Sequence, residues 1–368
     1  MRINLEKSQL MGAIATVSKA ISSKSTLPIL EGIYLEAQDN LVTFTCSDLS
    51  LSIQTKVPAT VEEEGRAVLP GRIFGEVVRR LPEGAVDLTV SPSQQAVIRC
   101  RASKTTLQTF APEEYPALPE VADGSEVQVA QGLLKDMIRQ TLFAIAVDES
   151  RPILTGALLE IEGDELHMVT LDGYRLALRN GKLPAGHEGL SVVVPGKSLT
   201  EMGRLLSDGE DAVSLKVADG HFMMDLGHTA VISRLLEGEF IKYRQILPSD
   251  FQTTVQCEHQ ALLDAVERAS LLAREGKNNL VKFSIAEEKL VITANSEVGE
   301  VYEEVPVALS GKALDIAFNA RYFSDMLKAL DDEVISLYFG TNISPCVVKP
   351  VEGEDYLYLI LPVRLYNL

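Results

Sequence analysis

Two basic residues two helical turns apart, set opposite a row of apolar ones, recur three times in this chain. Arg72 and Arg79 frame the first set, Lys197 and Arg204 the second, Arg321 and Lys328 the third, at offsets of 125 and then 124 residues. Between them one register repeats: Phe74, Val77, Val78 and Leu81, then Leu199, Met202, Gly203 and Leu206, then Phe323, Met326, Leu327 and Leu330. Apolar positions at i, i+3, i+4 and i+7 make a helix with one buried stripe, which leaves the cations on its other face. The chemistry of such a face is contact with phosphate, with no base-reading side chains in evidence. An acid sits inside each set, at Glu76, Glu201 and Asp325, so each helix keeps a single positive charge in excess and grips a polyanion weakly. Weak contact permits sliding.

Catalytic patterns fail one by one. Gly196-Lys197-Ser198 resembles the end of a phosphate loop, but that motif needs glycine at 191, where Ser191 stands. His167, His187, His221, His228 and His259 never take a familiar metal spacing. The carboxylates of Glu62 to Glu64, Glu113 to Glu114 and Asp331 to Glu333 read as solvated turns, and no GxSxG elbow or activated cysteine context occurs. The chain is expected to be no enzyme and to need no cofactor or metal.

A net charge of −18 argues against a protein that coats nucleic acid with its whole surface, yet leaves room for one basic face held near a polyanion. Cys46, Cys100, Cys257 and Cys346 stand far apart with no CxxC pair, which suits a reducing compartment. The first twenty residues scatter Arg2, Glu6, Lys7 and Lys19 and lack the order of a signal peptide, and no apolar run approaches membrane-spanning length. A cytoplasmic protein without a membrane partner is expected.

The elements that position the cationic helices repeat as well. Each unit opens with an amphipathic helix, on Leu10, Ile14, Val17 and Ile21, on Leu134, Ile138, Leu142 and Ile145, and on Leu262, Val266, Ala269 and Leu272. Paired strand patterns follow, for instance Ile33 to Ala37 with Leu41 to Cys46 and Val281 to Ile285 with Leu290 to Ala294. The expected fold is α+β: three tandem repeats of one domain, each with two helices packed on antiparallel sheet. Boundaries fall in the turn-rich stretches near 116–125 and 247–253, giving domains 1–120, 121–247 and 248–368.

Open sheet edges invite pairing. Arg99, Arg101 and Lys104 lie in or beside an expected edge strand in the first repeat, and Glu297, Glu300, Glu303 and Glu304 crowd a comparable strand in the last. Opposite charges at the two ends point to a head-to-tail homodimer, a six-domain ring.

Four segments are shared with a known family: Thr26-Leu27-Pro28-Ile29-Leu30, Thr170-Leu171-Asp172-Gly173-Tyr174-Arg175-Leu176-Ala177, FIKYRQILP from Phe240 to Pro248, and Leu361-Pro362-Val363-Arg364-Leu365. Over its whole length the chain resembles the bacterial DNA polymerase III beta subunits, the sliding clamps. That resemblance implies a ring with helices inside and sheets outside, encircling duplex DNA and tethering polymerase. It implies partners too: the replicative polymerase catalytic subunit, the clamp loader, translesion polymerases, mismatch-repair proteins and ligase. It further implies a pocket for short linear peptides between the second and third domains. Matching positions are Leu154, Gly173, Arg175, Leu176, Ile246, Pro362 and Val363, joined by Leu171, Tyr174, Ile241, Pro345, Leu359 and Leu361, where leucine and phenylalanine anchors would be received. Leu171, Tyr174, Ile241 and Gln245 depart from the enterobacterial Thr, His, Pro and Arg.

By likeness and position Lys24, Arg72, Arg151 and Lys197 are candidates for DNA contact, and Arg79, Arg204, Arg321 and Lys328 follow from the register. At the dimer seam Arg99, Arg101, Lys104, Thr105 and Leu107 are expected opposite Leu271, Leu272, Glu300, Glu303 and Glu304. The competing function is a triplicated peptide-binding scaffold whose basic faces are merely solvated.

Overall fold

The computed structural model describes residues 1–22, 27–121, 124–276 and 279–364. Among them lie six α-helices, two per repeat: α1 (Lys7–Val17) and α2 (Gly71–Arg80), α3 (Gln131–Thr141) and α4 (Gly196–Leu205), α5 (His259–Ala273) and α6 (Ala320–Leu327). The chain forms two compact units, one of residues 1–131 with 204–235 and one of residues 132–203 with 236–368, so that the second repeat contributes to both.

In the first unit an eight-stranded antiparallel sheet runs Ser125–Ala130, Ala212–Ala218, His221–Asp225, Thr229–Arg234, Leu51–Pro58, Leu41–Ser47, Gly32–Gln38 and Gly65–Pro70. Strands of the first and second repeats meet where Thr229–Arg234 pairs with Leu51–Pro58, and the hydroxyls of Thr55 and Thr229 bond at 2.7 Å across that rung. A five-stranded sheet runs Thr60–Glu63, Arg2–Glu6, Ala85–Val90, Gln95–Cys100 and Ser103–Gln108.

The second unit is built alike. Its seven-stranded sheet runs Gly156–Leu171, Arg175–Pro195, Tyr356–Ile360, Cys346–Pro350, Val334–Phe339, Thr253–Glu258 and Ala308–Gly311, and joins the second repeat to the third where Arg175–Arg179 pairs with Tyr356–Ile360. Its four-stranded sheet runs Gly299–Pro306, Lys289–Ser296, Leu280–Ala286 and Leu314–Asn319. Each repeat thus sets its helices on antiparallel sheet as expected, but two of the sheets cross repeat boundaries. Edge pairing of the kind anticipated between chains already operates within this one, since a joined sheet leaves fewer open edges than separate ones.

Repetition extends to close contacts. A Cβ on Gly71 would stand 2.6 Å from Ile21 Cδ1 and 2.9 Å from the Glu31 carbonyl oxygen, and one on Gly196 would stand 2.5 Å from Ile145 Cδ1 and 3.0 Å from the Thr155 carbonyl oxygen. The same neighbour closes on the same helix start in two repeats, and the third accommodates Ala320 there, fully buried. The first helices differ from expectation at their ends. α1 and α3 tighten into 3-10 turns at Ser18–Ala20 and Leu142–Ala144, which bury Ala20 and Ala144 and leave Ile21 and Ile145 half-buried; in α5 Ala273 takes the buried place expected of Leu272.

Candidate nucleic-acid interface and partner pocket

The triplicated register folds as its spacing requires. Phe74, Val78 and Leu81, Leu199, Met202 and Leu206, and Phe323, Met326, Leu327 and Leu330 are buried, while Arg72, Arg79, Lys197, Arg204, Arg321 and Lys328 are all exposed. Arg72, Lys197 and Arg321 each occupy the second residue of their helix. That end carries the positive pole of the helix dipole, which favours acids and disfavours cations by roughly 0.3–1 kcal/mol. None of the six helices has an acid in its first turn. The helix dipole therefore opposes the cation at this position in all three repeats.

Arg72, Arg79 and Arg204 belong to the first unit and Arg151, Lys197, Arg321 and Lys328 to the second. Arg151 is exposed immediately before the 3-10 turn Pro152–Thr155, and a cleft of about 500 Å³ beside it is lined by Val147, Glu149, Pro152 and Lys197. Lys24 and Thr26 lie outside the described residues, as do Leu365 and the three residues after it.

The acids of the register meet different partners. Glu76 pairs with Arg79 and, at 3.5 Å, with Arg80. Asp325 accepts from Arg175 Nη1 at 2.8 Å and stands 3.9 Å from Arg321 Nε, while Lys328 reaches Glu267 of α5 at 2.7 Å.

Leu154, Leu171, Leu176 and Leu359, four of the expected peptide-pocket residues, share one buried cluster on one face of the seven-stranded sheet. Strand alternation sends Ala177, Tyr358, Ile360 and Val348 into the core that also holds Phe323, Met326 and Leu327 of α6. It sends Leu171, Leu176, Leu178, Leu359 and Val347 to the opposite face, where they pack with Leu154, Phe240 and Tyr243. The segment FIKYRQILP is therefore the cover of a second core. Tyr243 is buried and donates its hydroxyl to Glu160 Oε2 at 2.9 Å; burial and that carboxylate push its phenol well above the ordinary range. Arg244 lies over the Tyr243 ring and pairs with Glu160 and Glu162 at 3.3 and 3.0 Å.

Around this buried floor Tyr174, Ile241, Ile246 and Leu361 remain exposed, with Pro345, Pro362 and Val363 half-buried. The closing segment is fixed by backbone bonds from Leu361 N to Tyr174 O at 2.9 Å and from Val363 N to Ala317 O at 2.8 Å. Gly173, at φ +94°, supplies the left-handed residue of the turn that presents Tyr174. Asp172 Oδ1 accepts from the amides of Tyr174 and Arg175 at 2.9 and 3.0 Å, which closes that turn.

Arg175 turns to the other face of the strand from Leu176, towards Phe143 and Tyr322. Only 8% exposed, it donates to Asp172 Oδ2 at 3.0 Å and to Asp325, and its guanidinium lies 4.5 Å from the centre of the Tyr322 ring and 5.5 Å from that of Phe143. Tyr174 in turn stacks on Tyr322, with ring centres 6.0 Å apart. Phe143, Tyr322 and the bond to Asp325 were not foreseeable from spacing, because no motif links them and Asp325 stands 150 residues from Arg175.

At the expected seam, Ser103–Gln108 is an edge strand and Gly299–Pro306 is another. Arg99 and Lys104 are cross-strand partners and both exposed, an arrangement of like charges that costs stability. Arg101 is exposed in the turn between them, Thr105 and Leu107 are half-buried, and Leu271 on α5 is exposed. Two of the seam acids are already paired within the second unit. Glu303 takes a two-pronged contact from Arg268 at 2.9 and 2.7 Å, which holds its carboxyl below the usual range, and Glu304 pairs with Lys289 at 2.7 Å to similar effect. Glu300 is exposed.

Descriptions of the N-terminal, central and C-terminal domains of the DNA polymerase III beta subunit match residues 1–119, 128–242 and 244–364. The chain belongs to that family. The beta sliding clamp of Bacillus subtilis is 36% identical over 378 residues and that of Staphylococcus aureus 34% over 376, each alignment covering all of both chains. The crystal structure of the B. subtilis DNA polymerase sliding clamp superposes with a TM-score of 0.97, covering all of both chains. A beta-subunit structure from Eubacterium rectale, 34% identical, superposes at 0.95 over 99% of this chain and all of that one. The three-fold repeat read from the sequence is thus the three-domain plan of the beta subunits. No helix among the described residues is long and apolar enough to cross a membrane.

Proposed function

We propose that this chain is a DNA sliding clamp, a non-enzymatic processivity factor that encircles duplex DNA as a head-to-tail homodimer of six domains, 1–120, 121–247 and 248–368 in each chain. The observation that carries the reading is the exposed cation at the second residue of α2, α4 and α6, where the helix dipole opposes it in every repeat. Phosphate contact through Arg72, Lys197 and Arg321, with Arg79, Arg151, Arg204, Lys328 and Lys24 in support, is sequence-independent and weak. Topology supplies retention, so retention does not require tight binding.

Closure sets the Arg99–Lys104 edge of one chain against Glu300, Leu271 and Leu272 of another. The unpaired like charges of that edge gain an acidic partner, and Leu107 gains an apolar one. The rim of Tyr174, Ile241, Ile246 and Leu361 over Leu154, Leu171, Leu176 and Leu359 takes apolar anchors of linear peptides from the polymerase, clamp loader, translesion polymerases, mismatch-repair proteins and ligase, in the cytoplasm.

The test is retention on circular duplex at salt that abolishes ordinary electrostatic binding. The protein should stay on the closed circle and leave once it is linearised; equal loss from both forms refutes the ring. Solution mass gives an independent check, because a stable monomer contradicts closure. A peptide-binding scaffold indifferent to DNA would keep all its activity when Arg72, Lys197 and Arg321 are neutralised together, whereas the clamp loses loading or retention.

A further inference from the structure

Asp325 stands between the peptide pocket and the cationic face of α6. Its Oδ2 accepts from Arg175 at 2.8 Å and lies 3.9 Å from Arg321 Nε. Arg175 is buried in the turn that presents Tyr174, a residue 60% exposed on the pocket rim, and Arg321 is 75% exposed. A second contact runs parallel to the first: Tyr174 stacks on Tyr322, the residue after Arg321, and Tyr322 also carries the Arg175 guanidinium on its ring. The start of α6 is itself fixed by Asn319, whose Oδ1 accepts from the amides of Arg321 and Tyr322 at 3.0 and 3.4 Å. One turn of helix therefore holds a residue for phosphate, a residue for the pocket wall and the acid that both arginines face.

We propose that Asp325 is a positioning residue of the peptide pocket and that, through it, peptide and duplex DNA bind this chain cooperatively. The inference rests on the function proposed above for the pocket and for Arg321. Two cations compete for one carboxylate. When a phosphate draws Arg321 outward, Asp325 is left to Arg175 alone, the 172–175 turn is held in place, and Tyr174 meets an incoming peptide already ordered. Linkage makes the effect reciprocal: a peptide that fixes the turn releases Arg321 to the duplex. The acids that play this part elsewhere in the register differ, since Glu76 pairs with arginines of its own helix.

The experiment measures the Kd of a fluorescent peptide bearing leucine and phenylalanine anchors, with and without a short linear duplex at low salt. In the natural chain the duplex should tighten peptide binding roughly two- to five-fold, the range that an exposed ion pair can transmit. Arg321→Ala should tighten the peptide by the same factor without DNA and make it indifferent to DNA. Asp325→Asn should weaken the peptide and abolish the coupling, and Asp325→Glu should restore part of it, which a purely structural role of this side chain does not require. Because Arg321 is exposed, its variant tests the inference even if Asp325→Asn folds poorly. If both ligands bind the natural chain and the peptide Kd ignores the duplex, or if Arg321→Ala leaves the coupling intact, the inference is overturned while the proposed function stands. If the natural chain binds no peptide, the proposed pocket fails and the inference with it; if it binds no duplex even at low salt, Arg321 has no phosphate to meet and the inference alone is overturned.

Discussion

Helices α2 and α6 share one register yet treat their acids in opposite ways. Glu76 is a surface acid neutralised by Arg79 and Arg80 of its own helix, whereas Asp325 reaches out of its helix to a buried arginine of the preceding repeat. The repeat fixes the apolar stripe and the cations, and leaves the acid to whatever packs nearby. Sameness across repeats marks what all three do together. Difference marks what one of them does alone, and here that is the hold of Asp325 on Arg175.

The shared part should fail alike in both helices. Phe74→Ala and Phe323→Ala each empty a fully buried site and should cost about 3–5 kcal/mol, read as the shift in denaturant midpoint of the unit concerned. A cost under about 1 kcal/mol at either position would break the claim of a common register. The acids should separate the two helices. Asp325→Asn takes the negative charge away from a buried guanidinium and leaves it a neutral amide oxygen, which should cost about 2 kcal/mol, in the range of hydrogen bonds to buried charge. Glu76→Gln, which breaks only an exposed pair, should cost less than about 0.5 kcal/mol. Equal costs would make Asp325 another surface acid and remove the contrast.

Alkaline titration probes the core under α6. Cys257, buried in the cluster that receives Phe323 and Met326, has its thiol pushed up to about 12 by burial. Above its ordinary value near 9 the unfolded chain releases this proton while the folded chain keeps it, so stability falls as pH rises from about 9 towards 12. The slope is about 1.4 kcal/mol per pH unit for one thiol. Stability of the second unit that is flat between pH 9 and 11 would show that Cys257 titrates freely and that the core is looser than its packing indicates.

What could be read from sequence follows the same division. Phe74, Leu199 and Phe323 and their cations were legible because helix periodicity and a constant offset are one-dimensional. The two-faced character of residues 171–178 was not, because Leu176 and Ala177 serve different cores that only strand alternation within a shared sheet distinguishes. Nor was the burial of Arg175. An arginine between Tyr174 and Leu176 in a family motif reads as a contact for a ligand, and its two acids and two aromatic rings come from three separate stretches of chain, at Phe143, at Asp172 and on α6. Sheets that cross repeat boundaries were hidden for a related reason: spacing shows that a strand exists but not which neighbour it takes.

The smallest effect bears hardest on function. Arg72 and Arg321 sit in the first turns of their helices, against the dipole, so replacing either by Gln should stabilise its unit by a few tenths of a kcal/mol, measurable as a small rise in midpoint. Replacing both together should weaken duplex contact and reduce the steepness of its salt dependence by about two, one step per lost phosphate contact. A solvated face kept for stability predicts the reverse on the first count and no change on the second. Gain of stability with loss of contact means that the chain holds these cations at its own expense for a polyanion; if the chain loses stability and contact is unaltered, the cations serve the fold and the interface lies elsewhere.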